Sequence, residues 1–296
     1  MDNDTRVLGI DIGGTSVKMG ILEPDGCLSD IRQIGMIVNN PEVMADKIAR
    51  LAGTYDAGIV GVGSAGAVNH KTGLVSAGNL EWRDVPLRAM LETRLRKPVW
   101  VDNDAKAALM AEWHSGVCQG ARCAVCVTIG TGIGGGLLID GKPWRGDDNT
   151  AFELGHIVTH GGAYARTGSK EGRLEYCASG LSLSRLTGGK PAREVVEGVI
   201  AGEPRALAVF NELIHELALG LCTVIILFKP EVIAIGGGIS AAGEYLLNGI
   251  REKVVAHQGG RSQSYDVEQI KLAVHGNNAG MIGAAVLAKL YLQEKS

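Results

Sequence analysis

Twice in this chain an apolar segment runs into a cluster of glycines with threonine and resumes as a second apolar segment. This repeated device constrains the fold more than any other feature. The first copy reads Val7-Leu8-Gly9-Ile10-Asp11-Ile12, then Gly13-Gly14-Thr15-Ser16, then Val17-Lys18-Met19-Gly20-Ile21-Leu22. The second lies about 118 residues further on: Ala124 to Ile129, then Gly130-Thr131-Gly132-Ile133-Gly134, then Gly135 to Ile139, closed by Asp140-Gly141. Apolar runs bounded by such bends read as strands joined in antiparallel hairpins. A chain of 296 residues has room for roughly two domains at about 150 residues each. One hairpin therefore opens each half of a duplicated architecture.

The intervening segments fit that plan. Pro41 to Leu51, Leu87 to Leu95 and Ala105 to Trp113 carry helical periodicity, and Gly58 to Gly63 and Val99 to Val101 read as short buried strands. In the second half Glu203 to Leu227 reads as a long helix, Glu231 to Ile235 as a strand ending in Gly236-Gly237-Gly238, and Ala279 to Leu292 as a terminal helix. Strands alternating with helices give the α/β class. Symmetry places the division near residue 116: a smaller domain over 1–116 and a larger one over 117–279, with a helix over 280–296 expected to pack back on the first.

Composition removes several functions. With 29 basic and 32 acidic residues the net charge is −3, and no block of five like charges occurs, so nucleic acid is not the expected partner. The start, Met1 to Arg6, is too polar for a signal peptide, and the longest apolar run, Leu217 to Phe228, falls short of the roughly 20 residues a membrane span needs. A cytoplasmic protein is expected, with reduced cysteines. Cys123-x-x-Cys126 sits in a strand pattern that puts residues three apart on opposite faces, against a redox or zinc pair. The 43 glycines are about twice the usual share of about 7% while prolines number only 8, so the excess serves backbone geometry.

Gly130 to Gly135 satisfies G-x-G-x-x-G, but a strand follows where a dinucleotide site needs a helix, and no P-loop pattern occurs. A glycine hairpin can still offer successive N–H groups as a concave anion site, with Thr15, Ser16 and Thr131 adding hydroxyls and Lys18 a charge. One such bend is ordinarily a plain turn; two with the same chemistry point to phosphate. Asp11 is the last charged residue before the first bend, inside an otherwise apolar strand, which suits either a Mg²⁺ partner through water or an Asx-type contact to Gly13 or Gly14. Asp102-Asn103-Asp104 stands at a strand-to-helix junction, where one residue suffices to cap the helix. Asp104 in its first turn is favoured as a carboxylate and can accept a hydroxyl proton. Glu153-Leu154-Gly155-His156 and Glu175 supply donors and acceptors suited, with Asn103, to a polyhydroxylated ligand.

Together these residues resemble the ROK family of repressors, open reading frames and kinases. The resemblance rests on Asp11-Ile12-Gly13-Gly14-Thr15, Asn103-Asp104, Thr128 to Gly136, Glu153-x-Gly155-His156, Glu175 and Ile235 to Gly238, in order along nearly the whole chain. It implies a two-domain, actin-like ATPase (ribonuclease H-like) fold that closes on ATP and sugar in a cleft between the domains. It implies an ATP- and Mg²⁺-dependent sugar kinase acting on the 6-OH of a hexose. Glucose leads, with N-acetylmannosamine, fructose, allose or a β-glucoside as alternatives. Asp104 would be the catalytic base, and Gly66, Asn79, Asn103, Glu153, His156 and Glu175 would bind the sugar. Asp11 would serve Mg²⁺ through water; Gly13, Gly14, Thr15, Lys18, Thr131 and Gly132 would face the nucleotide phosphates, and Gly237 and Gly238 the adenosine. Family members are commonly homodimers. A repressor of this family needs a helix-turn-helix ahead of the first hairpin, which here begins at residue 7. A non-catalytic sugar sensor would have no use for Asp104 beside phosphate turns.

One departure stands out. Many ROK proteins bind zinc through the His of this motif and a C-x-C-G-x-x-G-C run. The corresponding stretch, residues 164–175, holds no cysteine, and Cys177 alone cannot complete a thiolate set, so no zinc is expected.

Overall fold

A computed structural model describes residues 6–167, 170–258 and 265–295. The polar start at residues 1–5 and residues 168–169 of the cysteine-free stretch lie outside these. The chain divides into two compact units, one of Met1–Gln119, Pro143–Ala151 and Asn278–Ser296, the other of Gly120–Lys142 and Phe152–Asn277.

In unit one the first glycine bend joins β1 (Val7–Ile12) to β2 (Ser16–Leu22), followed by β3 (Leu28–Gly35). Helix α1 (Pro41–Ala52) starts where its sequence says it should: Asn40 caps it by accepting from the Val43 N–H, Pro41 sits at a position that needs no donor, and Glu42 lies in the first turn. Its apolar face, Met44, Ala45, Ile48 and Ala52, is buried against the sheet. Then come β4 (Ile59–Ser64), a small antiparallel sheet of β5 (Ala67–Asn69), β6 (Leu74–Ala77) and β7 (Trp82–Val85), α2 (Leu87–Leu95), β8 (Val99–Asn103) and α3 (Asp104–Ser115). The main sheet runs β3-β2-β1-β4-β8 among the described residues, with β1, β4 and β8 parallel. Their carboxyl ends therefore lie side by side, which is where open α/β sheets bind ligands.

Unit two repeats the device. The second bend joins β9 (Cys123–Ile129) to β10 (Ile133–Ile139), which leads to β11 (Lys142–Pro143). Gly134, Gly135 and Gly136 fall inside β10, so the bend itself is only residues 130–132. Helices α4 (Gly161–Thr167), α5 (Leu174–Ala178), α6 (Gly180–Leu186), α7 (Ala192–Ile200) and α8 (Pro204–Phe228) follow, then β12 (Val232–Gly236), α9 (Glu244–Gln258) and β13 (Ile270–Leu272). The sheet order is β11-β10-β9-β12-β13, with β12 parallel to β9 on the side away from β10, as β4 is to β1. Helix α8 is long and apolar enough to cross a membrane by length and composition, and half of its most apolar window is buried inside this unit. Phe210, Leu213, Leu217 and Leu221 supply that buried face.

The last helix, α10 (Ala279–Lys295), belongs to unit one, where it packs on α3, β1 and β4. The approach is close because glycines face it. A Cβ on Gly9 or Gly61 would overlap the Met281 or Ala284 carbonyl, and one on Gly283 of the helix would overlap the Ala107 carbonyl of α3.

Candidate active site

In unit one the register puts Asp11, Gly63 and Asp102 in one row across β1, β4 and β8, with Ile12, Ser64 and Asn103 in the next. Asp11 lies directly opposite Lys18 on β2. Burial pushes its carboxyl above the ordinary carboxylate range, and the Lys18 charge opposes that shift. The carboxylate rests against Gly280 at the start of α10, where any side chain would collide with it. Gly63 stands between Asp11 and Asp102 in that row, and a Cβ there would be 3.3 Å from the Ala107 Cβ, 3.6 Å from the Gly280 carbonyl oxygen and 3.7 Å from the Asp104 Cα. The bend is closed by the Gly13 N–H donating to the Ser16 carbonyl at 3.0 Å, and Asn79 lies against Gly14.

Asn103 is the N-cap of α3, its Oδ1 accepting from the Ala105 and Lys106 N–H groups at 3.0 and 3.2 Å. Its Nδ2 donates to the Gly66 carbonyl at 3.0 Å and to Asp104 Oδ1 at 3.1 Å. Gly66 can turn that carbonyl because it takes φ +90°, and a Cβ there would meet the Ser76 oxygen. Asp104 Oδ1 also accepts the Ala105 N–H at 2.8 Å, which fixes the carboxylate at the positive end of α3. Asp102 serves differently. It is fully buried, accepting from the Asn103 N–H at 2.8 Å, Asn149 Nδ2 at 2.7 Å, Arg145 Nη2 at 3.0 Å and Trp100 Nε1 at 3.3 Å. It anchors segment Pro143–Ala151 to β8.

In unit two the second bend has all three of its carbonyls committed: Gly132 O accepts from Gly130, Gly130 O from Gly180 and Thr131 O from Leu181. To an anion such a bend can present only N–H groups and the Thr131 hydroxyl. Glu175, on α5, reaches the same bend, its Oε2 accepting the Ile133 N–H at 2.9 Å while its carboxylate fills the space a Cβ on Gly132 would need. Gly155 brings the 3-10 turn Leu154–His156 against this pair, since a Cβ there would lie 2.6 Å from the Ile133 carbonyl and 3.1 Å from the Glu175 Cβ. Glu153 and His156 flank it, the first half-buried and the second exposed. Gly237, at φ +85°, packs its backbone on Ile129 just before the bend. Beyond it opens a cleft of about 580 Å³, within the usual range for a small-molecule site. Thr131 and Gly130 line one side, Gly238 and Ile239 another, and Ala192, Arg193, Val196 and Ile200 of α7 a third.

The structure thus gathers the named residues into two groups. Asp11, Gly13, Gly14, Thr15, Lys18, Gly66, Asn79, Asn103 and Asp104 lie in unit one, and Thr131, Gly132, Glu153, His156, Glu175, Gly237 and Gly238 in unit two. Sequence reasoning missed Gly280, whose lack of a side chain admits Asp11, and the α7 wall of the cleft. The amphipathic run Ala192 to Ile200 was the available signal for the second.

The ROK family model matches residues 7–290. The chain is 32% identical to a glucokinase of Halalkalibacterium halodurans, covering 97% of this chain and 96% of the relative. It is 34% identical to a glucokinase of Streptomyces coelicolor, covering 95% and 97% respectively. Among solved structures it is similar to a ROK family glucokinase from Streptomyces griseus in complex with glucose and AMPPNP, with a TM-score of 0.83, 30% identity and coverage of 96% and 99%.

Proposed function

Because the chain belongs to the ROK family and has its α/β actin-like ATPase fold, we propose that it is an ATP-dependent sugar kinase transferring the γ-phosphate to the 6-OH of a hexose, glucose foremost. The observation that carries this reading is the bend at residues 130–132. With its carbonyls turned inward and a nucleoside-sized cleft beside Thr131, it suits a polyphosphate attached to a planar base.

The roles follow from the chemistry. Thr131 and the N–H groups of the second bend hold phosphate oxygens, and Gly237 and Gly238 let the adenosine approach. Gly13, Gly14, Thr15 and Lys18 supply the same kind of contact from the first bend. Asp11 is the residue for Mg²⁺ through water: an oxygen donor, buried enough to be costly as an unpaired charge. The ion supplies neutralisation of the phosphate charge. Glu153, His156 and Glu175 bind sugar hydroxyls, joined by Asn103 when its Nδ2 exchanges the Asp104 Oδ1 contact for a hydroxyl, with Gly66 and Asn79 shaping the pocket. Asp104 takes the proton from the 6-OH as that oxygen bonds to the γ-phosphorus and the bond to the β-phosphate bridging oxygen breaks, releasing ADP. A loose transition state asks little basicity of Asp104, so its fixed position at the end of α3 matters more than its proton affinity. On the same reading the enzyme works in the cytoplasm as a homodimer.

The test is ADP release measured over a panel of hexoses, amino sugars and β-glucosides. The reading expects sugar-dependent release with the highest kcat/KM on glucose. Sugar binding without any ADP release would replace the kinase with a sensor.

A further inference from the structure

Three side chains that the phosphoryl-transfer reading does not use converge in unit two. His160 directly precedes α4, Cys177 lies on α5 two residues beyond Glu175, and Glu216 stands in the core helix α8. The backbone N–H groups of Thr159 and His160 both donate to the Gly172 carbonyl, at 3.0 and 3.1 Å, which pins His160 beside the start of α5. His160 Nε2 is 3.0 Å from Glu216 Oε1, and an imidazole nitrogen, the Cys177 sulfur and a Glu216 oxygen all lie within 4.8 Å of one another. The second Glu216 oxygen, Oε2, is shut off from solvent and has no hydrogen-bond partner among the described residues. A desolvated, unpaired carboxylate oxygen is costly, and a cation is the partner that relieves it.

We propose that His160, Cys177 and Glu216 bind a divalent transition-metal ion, zinc by preference. The donor set decides the class of ion. A thiolate and an imidazole beside one carboxylate oxygen suit zinc, whereas magnesium and calcium take oxygen ligands. A tetrahedral zinc with bonds of about 2.0–2.3 Å holds its donors roughly 3.3–3.8 Å apart, so closure of the cluster by about 1 Å completes the set. Three protein ligands leave the fourth position to water, and the half-exposed His160 gives water a route to it. Binding releases the Cys177 thiol proton. The ion ties α5, with Glu175 on it, to α8. The expectation of no zinc considered residues 164–175 and a solitary Cys177; the ligands that join Cys177 come from outside that stretch.

The experiment needs neither sugar nor nucleotide, so its result is independent of the kinase reading. The full chain is stripped with a chelator and titrated with Co²⁺, then with Zn²⁺. The proposal expects one equivalent of Co²⁺ per chain, a sulfur-to-cobalt charge-transfer absorption with the visible bands of a four-coordinate ion, and displacement by Zn²⁺. Cys177→Ser should abolish the charge-transfer absorption. His160→Gln and Glu216→Gln should each weaken Zn²⁺ binding by at least the roughly 10–100-fold that loss of an outer-shell partner costs. Circular dichroism of each variant verifies that it is folded, and Cys177→Ser at the half-exposed position serves if Glu216→Gln fails to fold. Absence of saturable binding in the wild type would leave the His160–Glu216 contact a plain ion pair and overturn the proposal. So would a charge-transfer absorption that survives Cys177→Ser.

Discussion

Asp11 is the penultimate residue of β1, in a largely apolar setting, and burial holds its carboxyl above the ordinary range even with Lys18 opposite. A carboxyl whose pKa rises on folding weakens the folded state once it ionises, and the penalty vanishes when both states are protonated. Asp11→Asn should therefore raise Tm at pH 7. That gain should shrink as pH falls through the raised pKa of the folded state and be gone below the usual carboxylate pKa of about 4; the same variant should lose ATP turnover at limiting Mg²⁺. Thermal melts from pH 3 to pH 8 check the first part; a constant difference across that range would show that Asp11 does not titrate as described. Gly132 offers a second residue-scale test. An alanine there puts its Cβ into the Glu175 carboxylate and frees the Ile133 N–H from its partner. Displacing a substrate-positioning group by about 1 Å can cost on the order of 100-fold, so Gly132→Ala should reduce kcat/KM for sugar by about 10–100-fold, measured by the same ADP-release assay.

At the scale of elements, the packing of α10 on β1, β4 and α3 depends on backbone contact at glycine positions. Gly61→Ala forces a Cβ into the Ala284 carbonyl with no flexible side chain to yield. Overpacking of this kind costs about 1–3 kcal/mol, occasionally more, which denaturant unfolding should register as a lower midpoint with an unchanged slope. These contacts also show what a single sequence can and cannot reveal. Both hairpins, the parallel strands after them and helices α1, α2, α3, α8 and α10 were legible, because apolar periodicity and capping residues are local signals. Helix α3 starts at Asp104 with Asn103 as its cap, as the run Asp102 to Asp104 suggested. The edge strand β3 was not legible: its residues are mostly exposed and its register comes from pairing with β2. Nor was the small sheet β5-β6-β7, whose strands are only three or four residues long. The partners of the buried Asp102, Arg145 and Asn149, lie more than forty residues away, a distance at which local pattern carries no information.

Over the whole molecule, the same strand plan is built twice, and each copy ends its first hairpin strand at a glycine bend. The resemblance supplied the roles; the structure supplies the reasons for several residue types. Gly155 and Gly132 exist to admit Glu175, Gly66 to turn a carbonyl toward Asn103, and Gly237 to lie on Ile129. The trio of His160, Cys177 and Glu216 had no sequence signature, since its members come from a loop, a five-residue helix and the core helix.

The central claim is that Asp104 takes the proton from a sugar hydroxyl as phosphate is transferred to it. The most direct measurement incubates wild type and Asp104→Asn with ATP and glucose, follows sugar phosphate by phosphorus NMR, and measures glucose affinity by calorimetry. The account predicts glucose 6-phosphate from the wild type and a kcat at least about 100-fold lower in the variant, with glucose affinity nearly unchanged. Turnover in Asp104→Asn within tenfold of wild type would contradict it.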